Sequence, residues 1–275
     1  MGNTQRKDYD TTENPTVINP DWMSSIPDTK SLIELSIPGT NCSLCFYGGN
    51  AFQCQSWSLL TQYEAGIRFA DMHLRHYYDT LRIYYGNKYQ QEFFHIALRS
   101  TVRFLQQHPK ETVLMRIKEE CQSAGTKQTF NAIVAHYIEH VGMSWFWTSS
   151  AIPSLGQVRG KIVILQDYEG PVMGIPYKNL SVAEDCSVPT VFDIGWKWAN
   201  TVGNLIEAQN LAYEKMFVTF SSGASMGAYP YTVANQINRH LYSLLESRKN
   251  QKTRWGIIAM DFPGAEMVQL IIHSN

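Results

Sequence analysis

The stretch FFHIALRSTVRFLQQHPKETVLMRIK, residues 93–118, decides the fold class. Phe93–Gln107 repeats apolar residues at helical spacing and sets Phe94, Leu98, Val102 and Leu105 on one side. His108-Pro109 stops that helix, because a proline disfavours helical backbone in the residue before it. Val113–Lys118 then opens on three consecutive apolar positions, as expected of a strand buried on both faces. A helix that returns directly to a doubly buried strand points to a mostly parallel sheet.

Working outward, the same alternation recurs. Candidate strands fall at Leu32–Ile37, Ile67–His73, Leu81–Tyr85, Val113–Lys118, Ile162–Gln166, Val191–Ile194, Phe217–Phe220 and Gly256–Met260. Helical patterns also fall at Thr129–His140, Asn204–Lys215 and Tyr231–Ser247. The segment Asp79–Leu81 is too short for a helix, so the second and third strands are expected to join directly. Eight strands in 275 residues predict one α/β domain, a single closed (βα)₈ barrel. Residues 1–20 are polar and lack periodicity, so they are expected to form a flexible arm, with the barrel over 21–275.

Charge and composition exclude several classes. The formal net charge of −1 lacks the basic surplus of a nucleic-acid partner. No apolar run is long enough to span a bilayer. The polar N-terminus does not read as a secretory signal, which points to a cytoplasmic protein. Gly2 invites myristoylation, but Arg6 stands where that motif wants Ser or Thr. Five cysteines do not read as a disulfide framework. Cys42-x-x-Cys45 could be a redox pair or half a zinc site, yet no second pair has the required spacing. Free, buried thiols are expected.

In barrels of this kind, functional side chains sit at the C-terminal ends of strands. Those ends carry Asn41 and Cys42, then Asp71, His73 and Arg75, then Tyr84 and Tyr85, then Lys118, Glu119 and Glu120. Asp167, Asp193, Ser221, Ser222 and Asp261 follow at the later strands. They are expected to converge on one mouth, although polar residues also simply begin loops.

Several segments carry a family resemblance. They are Asp21-Trp22-Met23-Ser24-Ser25-Ile26-Pro27-Asp28, Leu35-Ser36-Ile37-Pro38-Gly39-Thr40, Gly66-Ile67-Arg68-Phe69-Ala70-Asp71, Pro109-Lys110-Glu111-Thr112-Val113-Leu114-Met115 and Arg159-Gly160-Lys161-Ile162-Val163-Ile164-Leu165. In this order they resemble the X-type phosphatidylinositol-specific phospholipase C family, from about Asp21 to Asp261. Gln53–Leu59 looks closer to animal and fish-type relatives than to the secreted bacterial enzymes. The resemblance implies a distorted (βα)₈ barrel and, in the bacterial branch, a reaction without metal. A base takes the proton of the inositol 2-hydroxyl, that oxygen attacks phosphorus, and an acid protonates the departing diacylglycerol oxygen. Histidine suits both roles, and an arginine stabilises the phosphate charge.

Residue by residue, the implied machinery is altered. The family's base follows SIPGT, where this chain has Asn41, an amide that cannot accept a proton at neutral pH. Cys42 replaces its polar neighbour. The phosphate arginine stands two residues after the matching Asp71, where this chain has His73. The acid belongs to a His-Gly pair, here Tyr85-Gly86, and a tyrosine with pKa near about 10 shuttles protons poorly. Gln166-Asp167 stands where the bacterial branch has a further arginine. Lys118 and Glu120 match polar strand residues, Asp193 a head-group aspartate, and Asp261 the aspartate that orients the base.

Three functions follow from this pattern. The first is a catalytically impaired barrel that binds an inositol phospholipid head group or another small anion. The second is an active phosphodiesterase with a site rearranged around His73, Asp71, Tyr85 and Lys118. The third is a structural or interaction protein. No cofactor and no catalytic metal are expected. Calcium is the one ion worth testing, since Asn41, Asp71 and Glu120 could imitate an oxygen-ligand site. Aromatics beside glycines in Phe46-Tyr47-Gly48-Gly49 and in Met226-Gly227-Ala228-Tyr229-Pro230-Tyr231 suit either peripheral membrane contact or a packed loop.

Overall fold

A computed structural model describes residues 2–212 and 214–275. The strands are β1 Ile37–Thr40, β2 Phe69–Tyr77, β3 Thr80–Tyr85, β4 Lys88–Phe93, β5 Val113–Glu119, β6 Phe146–Trp147, β7 Ile162–Asp167, β8 Ile175–Pro176, β9 Ser181–Ala183, β10 Phe217–Phe220 and β11 Ile257–Met260. The helices are α1 Leu59–Ala65, α2 Phe94–Gln107, α3 Phe130–Val141, α4 Leu155–Val158, α5 Ile194–Ala208, α6 Pro230–Ser247 and α7 Ala265–His273. Eight parallel strands run in the order β6–β7–β5–β2–β1–β11–β10–β9. Among the described residues no ladder joins β9 to β6 or β8, so the curled sheet is a distorted, incompletely closed (βα)₈ barrel.

The sheet separates two cores, as the continuous apolar strands require. On the outer face Ala70, Met72, Leu74, Met115, Ile117 and Ile164 pack against Phe94, Leu98 and Leu105 of α2. On the alternate face Phe69, Leu114, Val163, Leu165, Val218 and Phe220 belong to the core that fills the barrel. The approach is close: a Cβ on Gly39 of β1 would stand 2.7 Å from the Phe69 side chain.

The segments that carry the family resemblance meet low in the barrel. Arg68 is fully buried and its Nε donates to Glu111 at 2.9 Å. The same guanidinium donates to the carbonyls of Tyr63, Ile67 and Pro20 and lies over the Phe104 ring. Trp22 Nε1 donates to the Gly66 carbonyl, and Arg159 reaches the carbonyls of Met23, Ile26 and Lys110. These motif residues hold the scaffold together and lie away from the strand ends.

Four expectations need correction. Leu81–Tyr85 is a strand, but it runs antiparallel to β2 and forms a hairpin with β4, outside the barrel path. Val191–Ile194 is not a strand. Thr190 and Asp193 form a capping box, and the segment turns into α5. The strand of that region is the short, half-buried β9. Leu32–Glu34 is a 3-10 turn, so β1 begins only at Ile37. The helix expected over 204–215 lies instead at Ile194–Ala208, and Tyr213 falls outside the described residues.

The N-terminal segment is packed and does not form a flexible arm; Met1 lies outside the described residues. Tyr9 is buried against Phe262 and bridges Pro263. Arg6 binds Asp8 and donates to Asn235 of α6 at 2.7 Å. Polar composition misleads here because local hydrogen bonds satisfy the polar groups while one aromatic anchors the segment.

Candidate active site

Along the inward faces of β2, β5, β7 and β11, apolar residues give way to charged ones toward the C-terminal end. Phe69 is followed by Asp71 and His73, Leu114 by Arg116 and Lys118, and Leu165 by Asp167. Ala259 leads to Asp261, and Glu184 follows β9. Burying such charge is costly unless it is paired, and a single network performs the pairing.

Arg116 is its centre. Its Nη1 and Nη2 donate to the two carboxylate oxygens of Glu184 at 3.1 and 2.9 Å. Its Nε donates to Asp167 at 2.9 Å, and Nη1 lies 3.4 Å from Asp71. The guanidinium also lies over the Tyr177 ring, 4.1 Å from the centroid. Burial works against the charge, but Asp71 and Glu184 hold Arg116 firmly protonated. Lys118 is less enclosed, 3.7 Å from Glu184 and 3.9 Å from Glu120.

His73 sits between two carboxylates. Its Nε2 lies 2.9 Å from Asp71 Oδ2 and its Nδ1 lies 3.2 Å from Glu120 Oε2. Burial lowers its affinity for a proton, yet Asp71 and Cys42 raise it well above the ordinary imidazole value. Burial likewise pushes Asp71 up, but His73 and Arg116 hold it well below the usual carboxylate range. Glu120 is fixed from behind by the Gly86 N–H at 2.9 Å.

Asn41 is buried and its Nδ2 donates to Asp261 Oδ1 at 2.9 Å. Gln55 Nε2 fixes the Asn41 backbone by donating to its carbonyl at 2.7 Å. Burial pushes the Asp261 carboxyl well above its usual value, with the Asn41 donation only partly opposing it. Cys42 adopts the left-handed backbone region at φ 40. Its N–H donates to Asp71 Oδ2 at 3.1 Å, and its sulfur stands 3.6 Å from both nitrogens of His73. Cys42, Cys45 and Cys54 form a small buried cluster with Tyr85 packed on it, and all five cysteines are free.

Asn41, Asp71, His73, Lys118, Glu120, Asp167 and Asp261 therefore lie at the C-terminal ends of the strands. Tyr85 approaches from the β3 hairpin, edge-on to His73 at 6.2 Å between centroids. Asp193 does not join them. Its Oδ2 accepts from the N–H and hydroxyl of Thr190, closing the capping box of the 3-10 turn Val191–Asp193 that leads into α5. The Thr-x-x-Asp spacing was a legible sign of that cap. The suggested calcium set does not assemble, because Asn41 turns to Asp261 and Glu120 to His73.

Three residues escaped the sequence reading. Arg116 was within reach, since it lies two positions before Lys118 and so on the same face. Glu184 was hidden by the weakness of β9. Lys197 enters from the flank of α5, buried, with its Nζ 3.4 Å from the Glu184 carbonyl. Burial lowers its pKa, and nothing in a helical pattern announces that position.

Fold and site together define a class: a barrel with a buried cluster of paired charges at the C-terminal ends of its strands. Comparison with known proteins makes the assignment specific. The profile "Phosphatidylinositol-specific phospholipase C, X domain" matches residues 47–168. The 1-phosphatidylinositol phosphodiesterase of Listeria monocytogenes is 30% identical over 280 residues, covering 92% of this chain and 84% of that protein. The enzyme of the same name from Staphylococcus aureus is 26% identical, covering 92% of this chain and 93% of that protein. The solved phosphatidylinositol-specific phospholipase C of L. monocytogenes superposes with a TM-score of 0.82 at 29% identity, over 94% of this chain and 99% of that one. The chain belongs to the phosphatidylinositol-specific phospholipase C X-domain family.

Proposed function

We propose that this protein binds the head group of an inositol phospholipid, or a closely related phosphodiester, and turns it over poorly. One observation carries the reading: the Asn41 amide donates to buried Asp261 at 2.9 Å. The position where the family's base is expected is filled by a hydrogen-bond donor. An amide has no basic nitrogen with which to take the proton of an attacking hydroxyl. Tyr85 offers no substitute acid–base group, because burial raises its pKa far above neutrality. General acid–base assistance is worth roughly 10²–10⁴-fold for each such group. Lys118 and His73 supply positive charge for a phosphate, and the neighbouring carboxylates supply acceptors for sugar hydroxyls.

Peripheral contact with a membrane fits the same reading. Phe192, Trp196 and Met226 are 92%, 56% and 85% exposed, on segments that follow β9 and β10. Those segments touch, since Ser225 Oγ donates to the Pro189 carbonyl at 2.9 Å. No helix among the described residues is long and apolar enough to cross a membrane. Phe192→Glu with Trp196→Glu is expected to reduce co-sedimentation with phosphatidylinositol vesicles without lowering the melting temperature. A free thiol complement suits a reducing compartment such as the cytoplasm.

The test is hydrolysis of phosphatidylinositol micelles by the pure protein, beside calorimetric binding of a soluble inositol phosphate. Turnover far below about 1 per second, the low end of ordinary enzymes, is expected together with measurable binding that Lys118→Ala weakens. Asn41→His is expected to raise turnover, because Asp261 already stands where it can orient an imidazole. Wild-type turnover at about 1 per second or faster, abolished by His73→Ala, would instead establish a site rearranged around His73 and Asp71.

A further inference from the structure

Past the barrel mouth, β2 continues into the β3–β4 hairpin and carries the strand face of Asp71 and His73 with it. Side-chain alternation puts Arg75 and Tyr77 on that face, with Arg75 about 7 Å beyond His73. In the β2–β3 ladder Arg75 stands directly opposite Arg82, and Tyr77 opposite Thr80. Like charges directly opposite each other destabilise a sheet. Here no carboxylate relieves them, since neither guanidinium forms an ion pair among the described residues. Glu120 turns to His73 and the Gly86 N–H, Glu92 accepts from the Phe93 N–H, and Asp79 faces His76 and the Lys127 N–H. We propose that Arg75 and Arg82 form an anion subsite on the rim of the mouth for a phosphate group, carried by a molecule seated in the mouth or by a neighbouring lipid.

The two guanidiniums are pre-organised. Arg75 Nε donates to the Gln122 carbonyl at 3.0 Å, and Arg82 Nε to the Thr80 hydroxyl at 3.2 Å. Arg75 Cζ lies 5.2 and 5.1 Å from the ring centroids of Tyr77 and Tyr84. Arg82 Cζ lies 4.7, 5.8 and 5.3 Å from those of Tyr77, Tyr89 and Phe93. Both arginines are half-buried, and the Nε edge of each is committed. Their Nη atoms have no hydrogen-bond partner among the described residues and are left for a ligand.

The donors select the ligand. A pair of Nη atoms presents two parallel N–H bonds to a tetrahedral oxyanion, a match that an ammonium lacks. A phosphate between the strands also cancels the like-charge opposition that the hairpin otherwise carries. The aromatic braces reduce the side-chain freedom lost on binding. The subsite does not depend on the mouth holding a head group, because neither arginine belongs to the network around Arg116.

Inorganic pyrophosphate tests the subsite apart from the mouth. The full chain carrying Lys118→Ala, which removes the more accessible cation of the mouth, is titrated by calorimetry. One equivalent of pyrophosphate is expected to bind. Adding Arg82→Gln or Arg75→Gln weakens that binding roughly tenfold or more, as loss of charge-assisted hydrogen bonds does. Arg82→Lys weakens it as well, because the charge remains but the fork is lost. Thermal melts of the variants separate loss of the subsite from loss of the fold. Co-sedimentation with phosphatidylcholine vesicles, with and without phosphatidic acid, then identifies the carrier of the phosphate. If both arginine variants lose the response to phosphatidic acid along with pyrophosphate, the phosphate belongs to a lipid. If they lose pyrophosphate alone, it belongs to a molecule seated in the mouth. No uptake of pyrophosphate, or uptake that Arg75→Gln and Arg82→Gln leave unchanged, would overturn the assignment and leave the arginines as braces of the hairpin.

Discussion

Arg116→Met removes the guanidinium and keeps most of the stem. The Arg116 and Asp71 side chains are 2% and 0% exposed, while Asp167 and Glu184 are 31% and 29% exposed. Water can therefore compensate Asp167 and Glu184 in part, but Asp71 keeps only His73 as a charged partner. Breaking a buried ion pair from one side costs roughly 3–5 kcal/mol. The remaining His73 contact places this variant near the low end, about 3 kcal/mol. At about 2–4 °C per kcal/mol for a domain of this size, that is a fall in Tm of about 6–12 °C. The pH dependence has a definite sign. Asp71 has a folded pKa depressed below its ordinary 3.8, so its contribution is fully present above that value and is lost as pH falls through the folded one. The difference between wild type and variant should therefore narrow as pH drops from about 5 toward 3. Urea unfolding and calorimetry at several pH values measure it. A loss below about 1 kcal/mol, as for an exposed pair, or a gap that widens on acidification, would refute Arg116 as the keystone of the mouth.

Gly39→Ala should cost about 1–3 kcal/mol by overpacking, because its Cβ meets Phe69 at 2.7 Å; a shift in the urea midpoint at constant slope checks this. Asp261→Asn keeps an acceptor for Asn41 and removes a carboxyl whose pKa burial raises well above 3.8. The proton it holds favours the fold below that value, and the advantage fades as pH rises through the folded pKa. The variant should therefore be more stable than wild type at pH 7. The two proteins should converge near about pH 4, as thermal melts across that range would show.

The sequence alone determined the outward and inward packing of the strands, and with it the class of fold. Val113–Lys118 and Ile162–Gln166 are apolar on both faces, and only a sheet covered on both sides satisfies such strands. It also marked Asn41, Asp71, His73, Lys118 and Asp261 as mouth residues, because strand ends and side-chain alternation are local properties. Tertiary structure alone decided what those residues do to one another. Glu184 and Lys197 reach the network from a weak strand and a helix flank, and no periodicity distinguishes them from solvated positions. Asp193 looked like a site residue until its carboxylate closed a helix cap. Cys42 and His73 meet only because β1 and β2 lie side by side in the barrel. Pairing energies of buried charges depend on distances within a few ångströms, and those are set by the closing of the sheet.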